Sequence, residues 1–182
     1  MRSPLMSAAV AVAAVIALSP LSPAMAAAPS DPGPGDITCN GGFLNVQFNP
    51  GVTFSKNTVR LTASGEMGIC SSREHPKITG GTVRVEASLT AACPGPFGPG
   101  YARVTIDWND GSRTAIDQST FRGDAQSFSL EGGSIATGTF AGGTARANGR
   151  TTSNPIELGA GCVLGGVTGY AATIDQFSVG DI

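Results

Sequence analysis

The chain consists largely of short segments in which apolar and polar side chains alternate, and glycine or proline soon ends each segment. In residues 82–90, every second side chain is apolar: Val83, Val85, Ala87 and Leu89. A period of two places these side chains on one face of a strand and the polar ones on the other. Such strands are typical of antiparallel sheets that pack one face on a core and expose the other to water.

The same alternation recurs in residues 43–48, 58–64, 102–108, 126–130, 134–140, 144–151 and 170–179. In the last segment it slips between Ile174 and Phe177, which predicts a β-bulge. The 26 Gly and 12 Pro residues argue against long helices, because each costs about 1 and about 3 kcal/mol, respectively, in a helix interior. Eight or nine short strands predict an all-β fold, a two-layer antiparallel β-sandwich of immunoglobulin-like or jelly-roll type.

The N-terminal residues predict export. Arg2 precedes an apolar run over residues 8–18, and Ala24-Met25-Ala26 has the small-x-small pattern of a cleavage site. We therefore expect residues 1–26 to be a signal peptide cut after Ala26. Its apolar run is shorter than the roughly 20 residues of a membrane span. The expected product is secreted and extracellular, with no membrane insertion after cleavage. It has a disordered Pro/Gly-rich leader over 27–36 and a single domain over 37–182.

Four cysteines remain after this cleavage, namely Cys39, Cys70, Cys93 and Cys162. An even number in an exported chain predicts two disulfides, for which three connectivities are open. If residues 55–57 form the first hairpin turn, Cys39 and Cys70 are nearly symmetric about it and lie close together. We therefore predict the pair Cys39–Cys70 and, by elimination, Cys93–Cys162.

The hairpin at Asn109-Asp110-Gly111 allows a register to be predicted. A two-residue loop would bury Asp117 opposite Val104, at a cost of several kcal/mol for an unpaired carboxylate. A three-residue loop with Gly111 in the left-handed conformation instead pairs Val104 with Ile116 on the inner face. On the outer face the same loop sets oppositely charged residues against each other, Asp107 with Arg113 and Arg103 with Asp117.

No catalytic residue, metal ligand or cofactor-binding residue is predicted. His75 is the only histidine and has no G-x-S-x-G or H-E-x-x-H motif to accompany it. Asp107, Asn109 and Asp110 suggest an oxygen-rich calcium loop, but Gly111 is fifth where an EF-hand requires it sixth. Trp108 shares its alternation with core residues. The sequence leaves Tyr101 and Tyr170 unplaced, although an exposed ring of either could stack on a sugar.

The segment 93–100 is a candidate partner-contact loop, in which Pro94, Pro96 and Pro99 stiffen the backbone around Phe97. A rigid loop that presents an apolar side chain loses little entropy on binding, as in protease inhibitors. The alternative is a connection between strands with Phe97 folded back as a plug.

The charge of the chain bears on its partners. Without Arg2, ten Lys and Arg oppose thirteen Asp and Glu, so the mature chain carries a net charge of −3. Nucleic acids are therefore not expected as partners, since binding to phosphates requires clustered basic residues.

The order of several motifs resembles that of uncharacterised small secreted four-cysteine immunoglobulin-like proteins of actinobacteria. The matching motifs are Cys39 with Pro50-Gly51, the segment Gly65 to Cys70, the hairpin Trp108 to Gly111, the segment Gly138 to Gly142, and Cys162 before the last strand. The resemblance implies a β-sandwich and export, and it carries no activity or site residues.

We expect a non-catalytic extracellular binding module whose partner is an unknown extracellular protein or a polysaccharide. The alternatives are a protease inhibitor or effector that uses the loop Pro94 to Gly100, and a small secreted hydrolase.

Overall fold

The structure is a computed structural model that describes residues 36–180. The expected signal peptide, and the expected leader apart from Asp36, lie outside the described residues. The described chain forms, in order, β1 (Ile37–Val52), β2 (Asn57–Ser71), β3 (Gly81–Ala91), β4 (Phe97–Trp108), β5 (Arg113–Gly123), β6 (Ser127–Glu131), β7 (Ser134–Gly138), β8 (Thr144–Thr151), α1 (Pro155–Leu164) and β9 (Val167–Gly180).

The strands close into an antiparallel β-barrel. From β1 to β5 each strand pairs with the next along the chain, and β9 pairs with both β8 and β1. The short strands β6 and β7 each pair with β5 on one side and β8 on the other. Because β6 and β7 share one strand position, the nine strands form a barrel with eight strand positions.

The predicted two-layer β-sandwich, with its immunoglobulin-like or jelly-roll topology, is therefore wrong. Period-two alternation reports that one face of each strand is buried, and this holds equally for two stacked sheets and for one sheet curled on itself. The closing pairs run from Ile37 opposite Val179 to Gln47 opposite Gly169. They join strands from the two ends of the chain and leave no sheet edge open at this seam.

The predicted hairpin register is confirmed from the loop as far as Val104, and beyond it a bulge in β5 sets both Asp117 and Gln118 against Arg103. Val104 lies opposite Ile116 and Asp107 opposite Arg113. The Trp108 N–H donates to the Ser112 carbonyl at 2.9 Å around the three loop residues, and Gly111 has a φ of +88°. The predicted bulge in β9 is also present, since Asn148 faces Gln176 while Gly149 faces Ile174.

One helix interrupts the strands where the sequence predicts none. The Asn154 side chain caps α1 by accepting from the Ile156 N–H at 2.9 Å, and Pro155 occupies the first turn. The helix buries only Leu158 and Cys162. The disulfide Cys93–Cys162 joins it to the β3–β4 loop, and Cys39–Cys70 crosslinks β1 to β2. These are the two pairings that the sequence predicts.

Apolar side chains fill the barrel. At the helix end, which carries α1, the interior holds Phe48, Phe97 and Tyr170. At the hairpin end, which carries the β4–β5 hairpin, Trp108 packs against Phe140 and Phe177. An apolar cavity of only about 50 Å³ remains between these clusters. An eight-stranded barrel is just wide enough for its side chains to fill it, or to hold one small ligand.

Candidate binding surface

The candidate contact loop divides between the inside and the outside of the barrel. Phe97 is only 2% exposed, and its ring centroid lies 5.5 Å from that of Phe48. Pro94 and Pro96 are exposed at the helix end, and Pro99 is exposed on the outer wall next to Tyr101. Phe97 is therefore folded back as a plug, and a partner cannot contact it in this structure.

Tyr170 lies beside this plug and is also buried, at 8% exposure. Burial raises the pKa of its hydroxyl well above the ordinary value of 10, and the negative charge of Asp124 adds to this effect. The Tyr170 ring is thus a neutral part of the core and not a surface for ligands.

The buried hydroxyl of Tyr170 should make the wild-type protein lose stability in alkali more steeply than a variant that lacks this hydroxyl. An unfolded tyrosine ionises near pH 10, so the stability that neutral Tyr170 contributes is complete below pH 10 and is lost as the pH rises toward the folded-state pKa. Above pH 10, this group should lower the free energy of unfolding by up to about 1.4 kcal/mol per pH unit. Urea unfolding from pH 9 to about pH 11 should show a shallower decline for Tyr170→Phe. The control Tyr101→Phe changes an exposed ring and should keep the wild-type slope, whereas equal slopes in all three proteins would contradict the prediction.

The polar residues at the hairpin end are occupied by structural contacts. Asn109 accepts from the N–H of Thr79 at 2.9 Å and donates to the Lys77 carbonyl at 3.1 Å. Asp110 accepts from the N–H and the hydroxyl of Ser112, and the hydroxyl bond is the main cause of its lowered pKa. The carboxylate of Asp107 is paired with Arg113. The oxygens of these three side chains therefore stabilise the hairpin and join it to the β2–β3 loop.

His75 lies over the same end of the barrel. Its ring packs edge-on against Phe140, with 4.9 Å between the centroids. Its backbone N–H, and not its ring, bonds to the Ser72 hydroxyl at 3.1 Å. Within residues 36–180 no group of three or more His, Cys, Asp or Glu side chains is placed to hold a metal ion.

A different surface is formed where the strands β2 to β5 face outward. Arg60, Ser88, Tyr101 and Thr120 lie directly opposite one another on these four strands. Since neighbouring strands are about 4.8 Å apart, the row spans about 14 Å. We call this surface the Tyr101 wall; it comprises Arg60, Glu86, Ser88, Tyr101, Arg103, Asp117, Gln118, Thr120 and Arg122.

The Tyr101 ring stands out from this wall. It is 74% exposed and separates two surface hollows. One, of about 340 Å³, is lined by Arg60, Glu86, Ser88, Arg103, Asp117 and Gln118. The other, of about 450 Å³, is lined by Thr58, Ser88, Pro99, Thr120 and Arg122. Both sides of the ring therefore face concave polar surface.

A β-bulge brings Gln118 to the first hollow. Ala102 faces Ser119 and Val104 faces Ile116, so two residues of β5 oppose the single residue Arg103. Gln118 has a φ of +58°, a left-handed conformation that is uncommon for any residue other than glycine. Bulges redirect side chains, and here Gln118 is exposed next to Asp117 while Ser119 is buried. Strict alternation would have turned Gln118 inward.

The charges of the wall nearly balance. Arg103 pairs with Asp117 at 2.8 Å, and both side chains are substantially exposed. Arg60 and Arg122 add positive charge and Glu86 adds negative charge to the same two hollows. The surface therefore offers hydrogen-bond donors and acceptors without a strong field of one sign.

One signal in the sequence could have found Tyr101. It shares its position in the alternation with Arg103 and Thr105, on the polar face of β4. An aromatic ring on a polar face is exposed by that pattern, but we expected the strand to begin after Tyr101. Gln118 gives no such signal, because its exposure depends on the bulge.

Comparison with known proteins finds no family model, no curated protein and no solved structure that matches this chain. Of the helices within residues 36–180, none has both the length and the apolar character to span a membrane.

Proposed function

We propose that this chain is a secreted, non-catalytic extracellular protein that binds a macromolecular partner through the outside of its barrel. The location of the concave surface gives this proposal its strongest support. The interior retains a cavity of about 50 Å³, whereas the two hollows of the Tyr101 wall are several times larger and open to solvent. A partner that binds there would contact side chains that are held rigidly on paired strands.

The covalent structure supports the extracellular part of this proposal. Both disulfides are formed, and within the described residues no cysteine is free. Disulfides of this kind persist in oxidising compartments and are rare in the cytosol. Together with the expected signal peptide over residues 1–26, they favour export of the folded chain.

No particular observation favours the inhibitor or the hydrolase. An inhibitor that presents Phe97 would need this side chain outside the barrel, and it is 2% exposed. A hydrolase based on His75 would need a nucleophile at its ring, and this ring packs on Phe140.

The proposal can be tested with the mature chain, residues 27–182, carrying a fluorescent label. Added to washed cells of the producing organism and to the insoluble material of its culture, it should bind saturably and be displaced by an excess of unlabelled chain. Ser88→Leu should weaken this binding, because Ser88 lines both hollows and a leucine would fill them.

The matched control is Asn148→Leu, which places the same side chain at an exposed position on β8. It should bind like the wild type. Absence of saturable binding to both preparations would refute the proposed function. Equal weakening by the two substitutions would refute the assignment to the Tyr101 wall.

A further inference from the structure

We infer that the Tyr101 wall binds an uncharged polysaccharide, with one sugar ring stacked on Tyr101 and its neighbours held in the two hollows. The inference rests on the proposed function, since it names the class of partner that the same surface would take.

The first argument is the position of the aromatic ring. Tyr101 projects from the middle of a sheet row whose other members are Arg60, Ser88 and Thr120. An amphipathic ring that is 74% exposed offers a flat apolar face, with its hydroxyl at the edge. A pyranose has C–H groups on its faces and hydroxyls around its rim, so it matches such a ring in both respects.

The second argument is the mixture of polar groups around the ring. Arg60, Arg103 and Arg122 only donate hydrogen bonds, whereas ionised Glu86 and Asp117 only accept them. Gln118 does both, and the bulge in β5 turns it outward beside Asp117. Sugar hydroxyls both donate and accept, so they can satisfy donors and acceptors placed side by side.

The third argument is the balance of charge. Three arginines and two carboxylates line the two hollows, and one of these carboxylates is paired with Arg103 at 2.8 Å. A polyanion would meet Glu86 and Asp117, and a polycation would meet the arginines. Each charged ligand would therefore be repelled by residues of its own sign, whereas an uncharged ligand would be repelled by neither set. Protein interfaces are depleted of Glu and Asp, whereas both Glu86 and Asp117 line the first hollow.

The fourth argument is the continuity of the concave surface. The hollows on either side of Tyr101 share Ser88, and Arg60 belongs both to one of them and to a third hollow of about 720 Å³. Asn45, Gln47 and Asn49 on β1 line this third hollow. A surface that runs across neighbouring strands in this way fits an extended chain of sugars better than a single sugar.

The test is retention of the mature chain on insoluble uncharged polysaccharides, namely cellulose, chitin, a β-1,3-glucan and starch. Wild-type protein should be retained by at least one of them, and retention should persist in 1 M NaCl because it does not depend on net charge. Tyr101→Ala should bind about thirtyfold more weakly, which corresponds to the loss of about 2 kcal/mol that marks an aromatic hot spot. Tyr101→Phe keeps the ring and should retain most of the binding.

The matched control is Phe54→Ala, which removes another exposed aromatic ring, 60% exposed in the β1–β2 loop. It should bind like the wild type. The inference is overturned if the wild type is retained by none of the four polysaccharides, if salt abolishes retention, or if Tyr101→Ala binds as well as the wild type. If the wild type binds the producing cells saturably but none of the four polysaccharides, or loses retention in salt, the proposed function stands and the partner is of another class. If Tyr101→Ala binds a polysaccharide as well as the wild type does, the binding site lies elsewhere on the barrel.

Discussion

Replacement of Phe97 by alanine is expected to lower the free energy of unfolding by about 3–5 kcal/mol, the usual cost of truncating a buried phenylalanine. Phe97 is 2% exposed and packs against Phe48 and Tyr170 at the helix end of the barrel. Truncation would leave a cavity that the surrounding strands cannot close, since their hydrogen bonds hold the barrel wall in place. Urea unfolding followed by the fluorescence of Trp108 measures the change.

The matched control is Phe54→Ala, because Phe54 is the same residue type at 60% exposure. It should change stability by no more than about 0.5 kcal/mol, as is usual for surface substitutions. Similar free energies for Phe97→Ala and wild type would show that Phe97 does not plug the barrel in solution. The loop at Pro94 to Gly100 would then again be a candidate for presenting this side chain to a partner.

The sequence predicts strand content and local register well because both depend on neighbouring residues. The alternation in β4, the loop Asn109-Asp110-Gly111 and the cost of burying Asp117 are sufficient to place Val104 opposite Ile116. Likewise, the symmetry of Cys39 and Cys70 about the first turn predicts their pairing. In each case a wrong register would have buried a charge or separated two cysteines.

The closure of the barrel could not be predicted in this way. It depends on the pairing of β1 with β9, whose residues lie more than a hundred positions apart, and both strands would show the same alternation in a sandwich. The shared position of β6 and β7 depends on Gly132 and Gly133, both at positive φ. A Cβ on Gly133 would lie 2.1 Å from the Ser119 hydroxyl oxygen.

The candidate site was missed for two local reasons. Tyr101 follows the alternation of β4, but we expected this strand to begin after Tyr101, whereas it begins at Phe97. A register shift between Phe97 and Gly100 in β4 lets Phe97 point inward while Tyr101 points outward. The bulge in β5 exposes Gln118. A period of two carries no information about such shifts, because each inserts one residue and reverses the faces of all that follow.

Loss of the disulfide Cys93–Cys162 is expected to have a similarly large effect. It closes a loop of 69 residues, against 31 for Cys39–Cys70. In the chain-entropy model these loops correspond to about 4.4 and about 3.7 kcal/mol of stabilisation, respectively. The double variant Cys93→Ala/Cys162→Ala should therefore be less stable to urea than Cys39→Ala/Cys70→Ala, by about 0.7 kcal/mol on this model.

The two variants should differ more clearly in where the structure loosens. Apart from Cys162, α1 buries only Leu158 against the rest of the protein, so loss of Cys93–Cys162 removes the covalent bond between the helix and the β3–β4 loop. Residues Cys39 and Cys70 stay opposite each other in the β1–β2 ladder even without their bond. Amide hydrogen exchange should become faster throughout α1 in Cys93→Ala/Cys162→Ala and remain unchanged there in Cys39→Ala/Cys70→Ala. Unchanged exchange of α1 in both variants would mean that packing of Leu158 and the Asn154 cap are sufficient to hold the helix on the barrel.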